Sequence, residues 1–366
     1  MTNDWKSAVN PAAAQLTPYV PARLPGIRHR LDANEAPAEL LHPVQDVLAR
    51  AAGLVGASNY PDARASALRE SLATWTGASA ENLVVGSGSD EIIAMVALAF
   101  SRPRPGAGRA KPVMLLPTPT FVMYGITGSL HGFDVIEVPL NAAFELDETA
   151  MRAAIDEHSP NIIFLASPNN PTGAAFAPDA IERLARHASG SLVVLDEAYG
   201  PFSSRQLARS PSLPENLVRL GTLSKIGLAS LRIGWLEASP AIARVVDCVR
   251  LPFNTSATSQ AIAAAVLAEC TDHLRAMCTE IVHERDRVAS ALQRAGGAIV
   301  HPSDANFLWL EVPGESATVW KKLAGDGILV RNFAGNGGRL DHCLRVTIGA
   351  QAANDAFLAA WGPAIS

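Results

Sequence analysis

The chain has 366 residues, of which 48% are hydrophobic and 18% charged, and its formal net charge is −5. This composition is typical of a globular protein with a large core, and it excludes disorder along most of the chain. The acidic balance argues against nucleic-acid binding, which uses a basic surface. The longest apolar runs, such as residues 92–100, fall well short of the roughly 20 residues that span a bilayer, so no membrane partner is predicted.

The cysteine content and the N-terminus indicate a reducing compartment. The four cysteines form no CxxC pair, which argues against a disulfide scaffold or a zinc ribbon, and no metal site is predicted. Residues 1–15 lack a basic segment followed by an apolar one, the pattern of a secretory signal. We therefore expect a cytoplasmic protein.

The first two-thirds of the chain predict an α/β core. The first 30 residues are rich in proline and show little periodicity, which indicates an irregular N-terminal arm. Short continuous apolar runs then alternate with helical patterns, as is typical of strands buried on both faces of a mostly parallel sheet. A doubly wound α/β sheet flanked by helices is predicted. The runs interpreted as strands are 82–85, 113–116, 162–165, 192–195, 217–220 and 233–236.

The pattern changes after about residue 245 and predicts a smaller α+β domain. Residues 257–296 form an alanine-rich helical region, and the glycine-rich residues 335–338 are interpreted as a loop. Short strands are predicted at 306–311, 328–331 and 343–348. The expected division is an arm and part of the small domain in 1–40, a large domain in 41–245, and a small C-terminal domain in 246–366.

Polar residues follow the predicted strands where ligands bind in open α/β sheets, beyond the carboxyl ends of the strands. Residues 86–91, GSGSDE, form a Gly/Ser turn that leads into a helix. Free backbone N–H groups and the positive end of the helix dipole suit a phosphate there. An ordinary capped turn explains the same residues about equally well.

Asp196, Lys225 and Arg232 follow other strands of the set. A buried carboxylate such as that of Asp196 needs a cationic partner, which a pyridinium nitrogen would supply, although a lone aspartate more often caps a turn. Lys225 has an amine that can form a Schiff base, although most lysines lie on the surface. Arg232 could reach the phosphate loop or form a salt bridge. Together with Asn170 and Tyr199, this set matches the groups of pyridoxal phosphate that need partners.

The motifs resemble those of the class II, fold-type I pyridoxal-phosphate-dependent aminotransferases, and within these the histidinol-phosphate aminotransferases. They occur in the family's order along nearly the whole chain. The matching stretches are LTPYVPAR (16–23), LDANEAP (31–37), NYPD (59–62), GSGSDEII (86–93), PTPTFVMY (117–124), SPNNPTG (167–173), DEAY (196–199), TLSKIGLASLRIGW (222–235), SDANFLW (303–309), GILVRNF (327–333) and LRVTIG (344–349).

The resemblance implies the roles of individual residues around the cofactor. Lys225 is expected to bind pyridoxal 5′-phosphate covalently and to carry the proton of the reaction, with Asp196 and Tyr199 as the other catalytic residues. The expected contacts to the cofactor are Asp196 at the ring nitrogen, Asn170 and Tyr199 at the phenolic oxygen, Phe121 on the ring face, and Ser89, Asp90, Ser224 and Arg232 at the phosphate.

The resemblance also implies the partners. Tyr60 is expected to reach the cofactor phosphate of the neighbouring subunit, which predicts a homodimer with shared active sites. Arg345 is expected to bind the carboxylate of the substrate, or a phosphate in its place, because an arginine fork suits both anions. Tyr19 and Arg331 are expected to be further contacts to the anionic end of the substrate.

The implied reaction is the transamination of L-histidinol phosphate with 2-oxoglutarate, which gives imidazole acetol phosphate and glutamate in histidine biosynthesis. Two activities of related enzymes stay open: transamination of aromatic amino acids, and decarboxylation of an amino-acid phosphate. A cofactor-binding regulatory protein is a third alternative. We expect such a protein to carry an added DNA-binding domain, for which the residues before the core leave no room.

Overall fold

A computed structural model describes residues 5–18, 20, 23–106 and 108–365 of the chain. Its strands are β1 (His29–Leu31), β2 (Leu83–Ser87), β3 (Val113–Thr118), β4 (Asp134–Pro139), β5 (Ile162–Ala166), β6 (Leu192–Asp196), β7 (Leu217–Thr222), β8 (Ile233–Glu237), β9 (Ile299–Val300), β10 (Phe307–Glu311), β11 (Ile328–Asn332) and β12 (Cys343–Thr347).

Its α-helices are α1 (Pro11–Ala14), α2 (Gln45–Gly53), α3 (Ser66–Thr76), α4 (Ser89–Ala99), α5 (Val122–Leu130), α6 (Glu148–His158), α7 (Pro178–His187), α8 (Pro240–Asp247), α9 (Ala257–Glu269), α10 (Thr271–Ala295), α11 (Ser316–Gly325) and α12 (Gln351–Ile365). Short 3₁₀ helices lie at Trp5–Ala8, Ala38–Val44, Ala80–Asn82, Gly200–Phe202, Ser224–Ile226, Ala229–Leu231 and Gly338–His342. None of the helices in the described residues is long and apolar enough to cross a bilayer.

A seven-stranded sheet forms the larger part of the protein, with the strand order β2-β8-β7-β6-β5-β3-β4. Strand β8 runs antiparallel to both of its neighbours, and the other pairs are parallel. Helices α4, α5 and α8 cover one face, and α6 and α7 cover the other. Every residue of the central strands β5 and β6 is buried. The predicted α/β fold with a mostly parallel, helix-flanked sheet is thus confirmed.

The six predicted strands of this sheet are present, and β4 is a strand that the sequence analysis missed. It lies at the edge of the sheet, and most of its residues are partly or fully exposed. Its sequence therefore lacks the continuous apolar run that reveals a strand buried on both faces.

A five-stranded sheet follows in the order β1-β11-β12-β10-β9. Strand β1 pairs parallel with β11, and the other pairs are antiparallel. One face, with Leu308 and Val346, packs on helices α10, α11 and α12. The opposite face, with Phe307 and Arg345, points at the end of the seven-stranded sheet, where Phe307 meets Tyr199 edge to face at 5.1 Å. The alternation of strand residues therefore places one row of side chains over that end.

Phe144 lies in the loop between β4 and α6 and packs this loop against the five-stranded sheet. Its ring is buried against the edges of His301 and Trp309, with centroid distances of 5.0 and 6.0 Å. The Arg339 guanidinium lies 4.3 Å from the Phe144 ring centroid and donates a hydrogen bond to the Ala142 carbonyl. The contact is a cation–π pair in addition to apolar burial. It holds the strand that carries Arg345 over the larger sheet.

Two regions differ from the sequence-based expectation in detail. The N-terminal arm contains short helical turns, including α1, where Asn10 caps the helix and proline occupies its first position, an arrangement that suits a helix start. The predicted helical region 257–296 is two helices that meet at Cys270. The division of the chain at residues 40 and 245 stays a prediction, and all strands of the larger sheet lie between residues 83 and 237.

Candidate active site

Most of the predicted site residues converge at the carboxyl ends of β5, β6 and β7. Asp196 is the last residue of β6 and pairs with Ala166 of β5, and Leu220 of β7 lies beside it. Asn170 follows β5, and Lys225 follows β7. Because neighbouring parallel strands end at the same edge, three different chemical groups are brought to one place.

Asp196 is a buried carboxylate whose side chain accepts two hydrogen bonds. The Tyr124 hydroxyl donates to Oδ2 at 2.5 Å, and the Ala198 backbone N–H donates to Oδ1 at 2.9 Å. Burial raises the pKa of Asp196 to about 6, although both hydrogen bonds lower it. Within the described part of the chain, no cationic side chain forms an ion pair with Asp196. The carboxylate is therefore held where an added cation would stabilise it.

Tyr124 is a site residue that the sequence analysis missed. It is fully buried and stacks on Phe164 at 4.5 Å between ring centroids. Burial and the negative charge of Asp196 raise the pKa of the Tyr124 hydroxyl well above its ordinary value, so the hydroxyl stays a donor. Phe121 lies three residues earlier and meets Tyr124 edge to face at 5.5 Å. A three-residue spacing places side chains together on a helix, and this spacing from Phe121 is the feature of the sequence from which Tyr124 could have been predicted.

The N-terminus of α4 forms a cradle for an anion. Gly88 precedes the helix with φ +82°, and no side chain caps the first turn at Ser89 and Asp90. Arg232 lies over this turn, because its Nη2 is 3.2 Å from Asp90 Oδ2 and its Nη1 is 3.5 Å from Ser224 Oγ. Free N–H groups, a hydroxyl and a guanidinium thus surround one position, as a phosphate requires.

Thr222 supports this cradle and was not predicted. Its hydroxyl lies 2.9 Å from Ser224 Oγ and accepts a hydrogen bond from the Ser224 backbone N–H at 3.1 Å. Gly234 of β8 also matters, because a Cβ atom there would overlap the backbone of Gly88 and Ser89. The strand can approach the helix N-terminus this closely only with glycine at this position.

Lys225 and Tyr199 form the centre of the site. Lys225 Nζ lies 5.6 Å from the Tyr199 ring centroid. The Tyr199 hydroxyl accepts a hydrogen bond from Asn34 Nδ2 at 2.9 Å, and Asn34 Oδ1 accepts one from the Thr347 hydroxyl at 3.0 Å. Asn34 is buried with φ +55°, a conformation that asparagine adopts more readily than most residues. The role of Asn34 was not predicted from the sequence.

Arg345 links the two sheets across the site. Its Nη1 donates to Asn170 Oδ1 at 2.5 Å, and its Nη2 donates to the Asp32 carbonyl at 2.8 Å. Arg331 is the direct antiparallel partner of Arg345 in the β11–β12 pair. Directly opposed residues of an antiparallel pair point to the same face, so both arginines occupy the face that looks at the site. Two like charges in this arrangement favour an anion between them.

The structure does not bring together every predicted residue. Tyr60 is 81% exposed and stacks on Phe253 at 4.6 Å. Within the described ranges, no hydrogen bond or ring contact joins Tyr60 to the other predicted residues. Tyr19 lies outside the described residues. The roles of these two residues stay predictions.

The residues present fit pyridoxal phosphate group by group. The unpaired Asp196 carboxylate suits a protonated ring nitrogen, and the α4 cradle with Arg232 suits the phosphate. Phe121 directly precedes α5, beside Tyr124, and suits the ring face. Lys225 lies beside Tyr199 and suits the aldehyde carbon. The donor set therefore has one partner for each polar group of the cofactor.

Comparisons with known proteins agree with this geometry. The model of the aminotransferase class I and II family matches residues 29–360. The chain belongs to the class I and II aminotransferases. It is therefore a pyridoxal-phosphate-dependent aminotransferase, as its motifs predicted. The fold-type I architecture expected from the resemblance is likewise the one observed.

Relatives of this aminotransferase with the same overall length are known. It is 39% identical over 332 residues to histidinol-phosphate aminotransferase 1 of Burkholderia mallei, covering 90% of this chain and 91% of that one. It is 39% identical over 343 residues to histidinol-phosphate aminotransferase 1 of Ralstonia nicotianae, covering 92% and 89%. A crystal structure of histidinol-phosphate aminotransferase from Sinorhizobium meliloti in complex with pyridoxal-5′-phosphate superposes with a TM-score of 0.84, at 26% identity over 98% of both chains.

We predict that Gly234→Ala weakens cofactor binding at least about tenfold. The added methyl group would overlap backbone atoms of Gly88 and Ser89, which cannot rotate away, so β8 and the α4 N-terminus must separate. The matched control is Gly53→Ala, where a Cβ meets no atom within 4 Å. The measurement is a titration of each apoprotein with pyridoxal phosphate. Equal affinities in the two variants would contradict the assignment of the α4 N-terminus as the binding site of the cofactor phosphate.

We also predict that Asp196→Asn changes how the apoprotein's stability depends on pH. The native pKa of about 6 lies above the ordinary value of 3.8, so the native state keeps a proton that the unfolded state loses. The free energy of unfolding of the unmodified apoprotein should therefore fall by on the order of 3 kcal/mol as pH rises from about 4 to about 6. Asparagine does not titrate, so the variant should lack this fall and be the more stable protein at neutral pH.

Urea unfolding of both apoproteins at a series of pH values measures this difference. The expected result is a gap between the two stabilities that grows as pH rises through the window and is then constant. Two pH profiles that run parallel would show that Asp196 does not titrate as an unpaired buried group.

Proposed function

We propose that this aminotransferase transfers the amino group of L-histidinol phosphate to 2-oxoglutarate, which gives imidazole acetol phosphate and glutamate. The observation that carries the proposal is that Arg331 and Arg345 lie opposite each other in strands β11 and β12. Both belong to the face of the smaller sheet that points toward Lys225 and Tyr199. Support also comes from the names of the relatives from Burkholderia mallei and Ralstonia nicotianae, which are both 39% identical to this chain. The reaction belongs to histidine biosynthesis, and we place the enzyme in the cytoplasm.

The two arginines favour this substrate over an aromatic amino acid. Histidinol phosphate carries a phosphate group where an amino acid has its carboxylate. A phosphate offers three oxygen atoms and nearly two negative charges, which two guanidinium forks can satisfy together. A single carboxylate needs only one fork, which we assign to Arg345. Arg331 is thus the residue that we assign to the phosphate, with Tyr19 as a further contact.

Each residue of the site has a task in this reaction. Bound pyridoxal phosphate supplies the carbonyl carbon that accepts the amino group and the ring that withdraws electrons from the substrate Cα. Lys225 Nζ takes the proton from the substrate Cα as a general base and returns it as an acid. The Asp196 carboxylate keeps a proton on the ring nitrogen. Asn34 orients Tyr199 and Arg345 orients Asn170, and these two side chains would hold the phenolic oxygen of the cofactor.

The proposed enzyme is a homodimer in which Tyr60 completes the site of the neighbouring subunit. Tyr60 and Phe253 form a stacked pair that is largely exposed in a single chain, 81% and 40% respectively. Leu251, two residues before Phe253, is also exposed. Contiguous exposed apolar side chains are typical of surfaces that a partner covers, and the hydroxyl of Tyr60 could then bind the partner's cofactor phosphate.

A half-reaction tests the substrate. The holoenzyme is mixed with L-histidinol phosphate without an oxo acid, and the visible absorbance of the lysine-bound cofactor is followed. We expect bleaching at concentrations at least about tenfold lower than with phenylalanine or tyrosine, because two charge-assisted contacts replace one. In Arg331→Met this advantage should shrink while the response to phenylalanine is unchanged.

Two results would contradict this assignment. Bleaching at lower concentration by an aromatic amino acid would assign the enzyme to aromatic transamination. Release of CO2 from an amino-acid phosphate in the absence of 2-oxoglutarate would indicate a decarboxylase. Lys225→Ala serves as the control, since no half-reaction is expected without the lysine amine.

Mixed dimers test the shared active site. Lys225→Ala and Tyr60→Ala homodimers should each be impaired. If Tyr60 acts across the dimer, a heterodimer of the two variants contains one site with both native residues. Unfolding and refolding an equal mixture should therefore restore activity, toward about a quarter of the native level if subunits pair at random. No gain over the two separate variants would show that Tyr60 does not act across the dimer.

A further inference from the structure

A cavity of about 410 Å³ lies behind the active site. Its floor is formed by Arg219 and Gly221 of β7 and by Trp235 of β8. The residues that alternate with these along the two strands, such as Leu220 and Leu236, point to the other face of the sheet, where they pack in the core that contains Tyr124. The cavity floor is therefore the face of the sheet opposite to Asp196. Helices α3 and α10 form the walls.

Within the described part of the chain, the charges that line the cavity are paired except for one arginine. Arg219 is buried and donates both to Glu197, at 2.8 Å, and to the Leu207 carbonyl, at 2.9 Å. Arg209 pairs with Glu237 at 2.7 Å. Arg275 of α10 has no carboxylate partner among residues that the structure describes, and its guanidinium lies 5.5 Å from the ring centroid of Trp75. The lining thus has an excess positive charge at Arg275.

Two indole rings give the cavity flat apolar surfaces. Trp75 lies under Arg275, and Trp235 packs flat on Gly221, where a Cβ atom would overlap the indole. Trp235 lines the cavity, and its Nε1–H donates no hydrogen bond within the ranges described. The cavity therefore offers an unused donor, an unpaired cation and aromatic walls.

We propose that this cavity is a second binding site, specific for a small aromatic carboxylate. The carboxylate would bind Arg275 and the Trp235 N–H, and the ring would pack on the indoles of Trp75 and Trp235. A cation would be repelled by Arg275, and a neutral ring would leave both donors unused. A volume of about 410 Å³ lies within the range of small-molecule pockets.

The position of the cavity connects it to the reaction. Glu197 in its lining directly follows Asp196, and Thr222 in its lining supports Ser224 of the phosphate cradle. A ligand in the cavity thus contacts the backbone that carries the active-site groups from behind. This proposal does not depend on which amino donor the enzyme uses.

The test is isothermal titration of the holoenzyme with indole-3-acetate. We expect Arg275→Met to weaken binding at least about tenfold, since a charge-assisted contact is lost while the side-chain stem over Trp75 is kept. Arg294→Met is the matched control, because Arg294 is an exposed residue of the same helix that does not line the cavity. Thr279→Phe, which fills the cavity from an exposed position on α10, should also abolish binding.

Two further binding measurements distinguish this site from the active site. Tryptamine, which has the same indole and a positive charge, should not bind the cavity. Binding of indole-3-acetate should persist in Arg345→Met, which removes the carboxylate contact of the active site. Loss of binding in Arg345→Met with no change in Arg275→Met would place the ligand in the active site and overturn the proposal. No binding to the native holoenzyme at millimolar concentration would also overturn it.

Discussion

The Asp196 carboxylate is kept inside the protein by a hydroxyl and a backbone N–H, and among the residues that the structure describes no cation balances its charge. A buried charge of this kind destabilises the protein unless a partner arrives. Strand β6 fixes its position, and Tyr124 fixes its orientation. The protein thus gives up stability in the absence of the cofactor, and in the proposed function a protonated ring nitrogen would restore it on binding. The same charge would then keep the cofactor in its electron-withdrawing form.

The rest of the site follows from how two sheets meet over this carboxylate. The parallel strands of the larger sheet deliver Asn170, Asp196 and Lys225 to one edge. The close approach of Gly234 to the α4 N-terminus places Arg232 over a row of free N–H groups. The smaller sheet adds the two arginines that we assign to the substrate, and the Arg345–Asn170 hydrogen bond joins both parts. The contact of Phe144 with Arg339 holds the two sheets in this relation.

The sequence was informative where a single residue type is enough to identify a role. Continuous apolar runs identified the buried strands, and the residues at their ends predicted a candidate site whose groups the structure brings together at one edge of the sheet. Asn34 and Thr222 were missed because they act through other side chains, Tyr199 and Ser224, and such contacts arise only when distant segments meet. Strand β4 was missed because an edge strand needs no continuous apolar run. Arg331 and Arg345 were expected only from the family resemblance, and their common face became visible with the strand register.

The proposed ion pair between the Asp196 carboxylate and the cofactor ring nitrogen can be tested directly in the holoenzyme. The enzyme is loaded with pyridoxal phosphate that carries ¹⁵N in its ring, and the nitrogen chemical shift reports whether this atom is protonated. We expect a protonated nitrogen in the native enzyme at neutral pH and an unprotonated one in Asp196→Asn, which keeps the shape of the side chain without its charge. An unprotonated nitrogen in the native enzyme would contradict the account, because the buried carboxylate would then have no cation to bind.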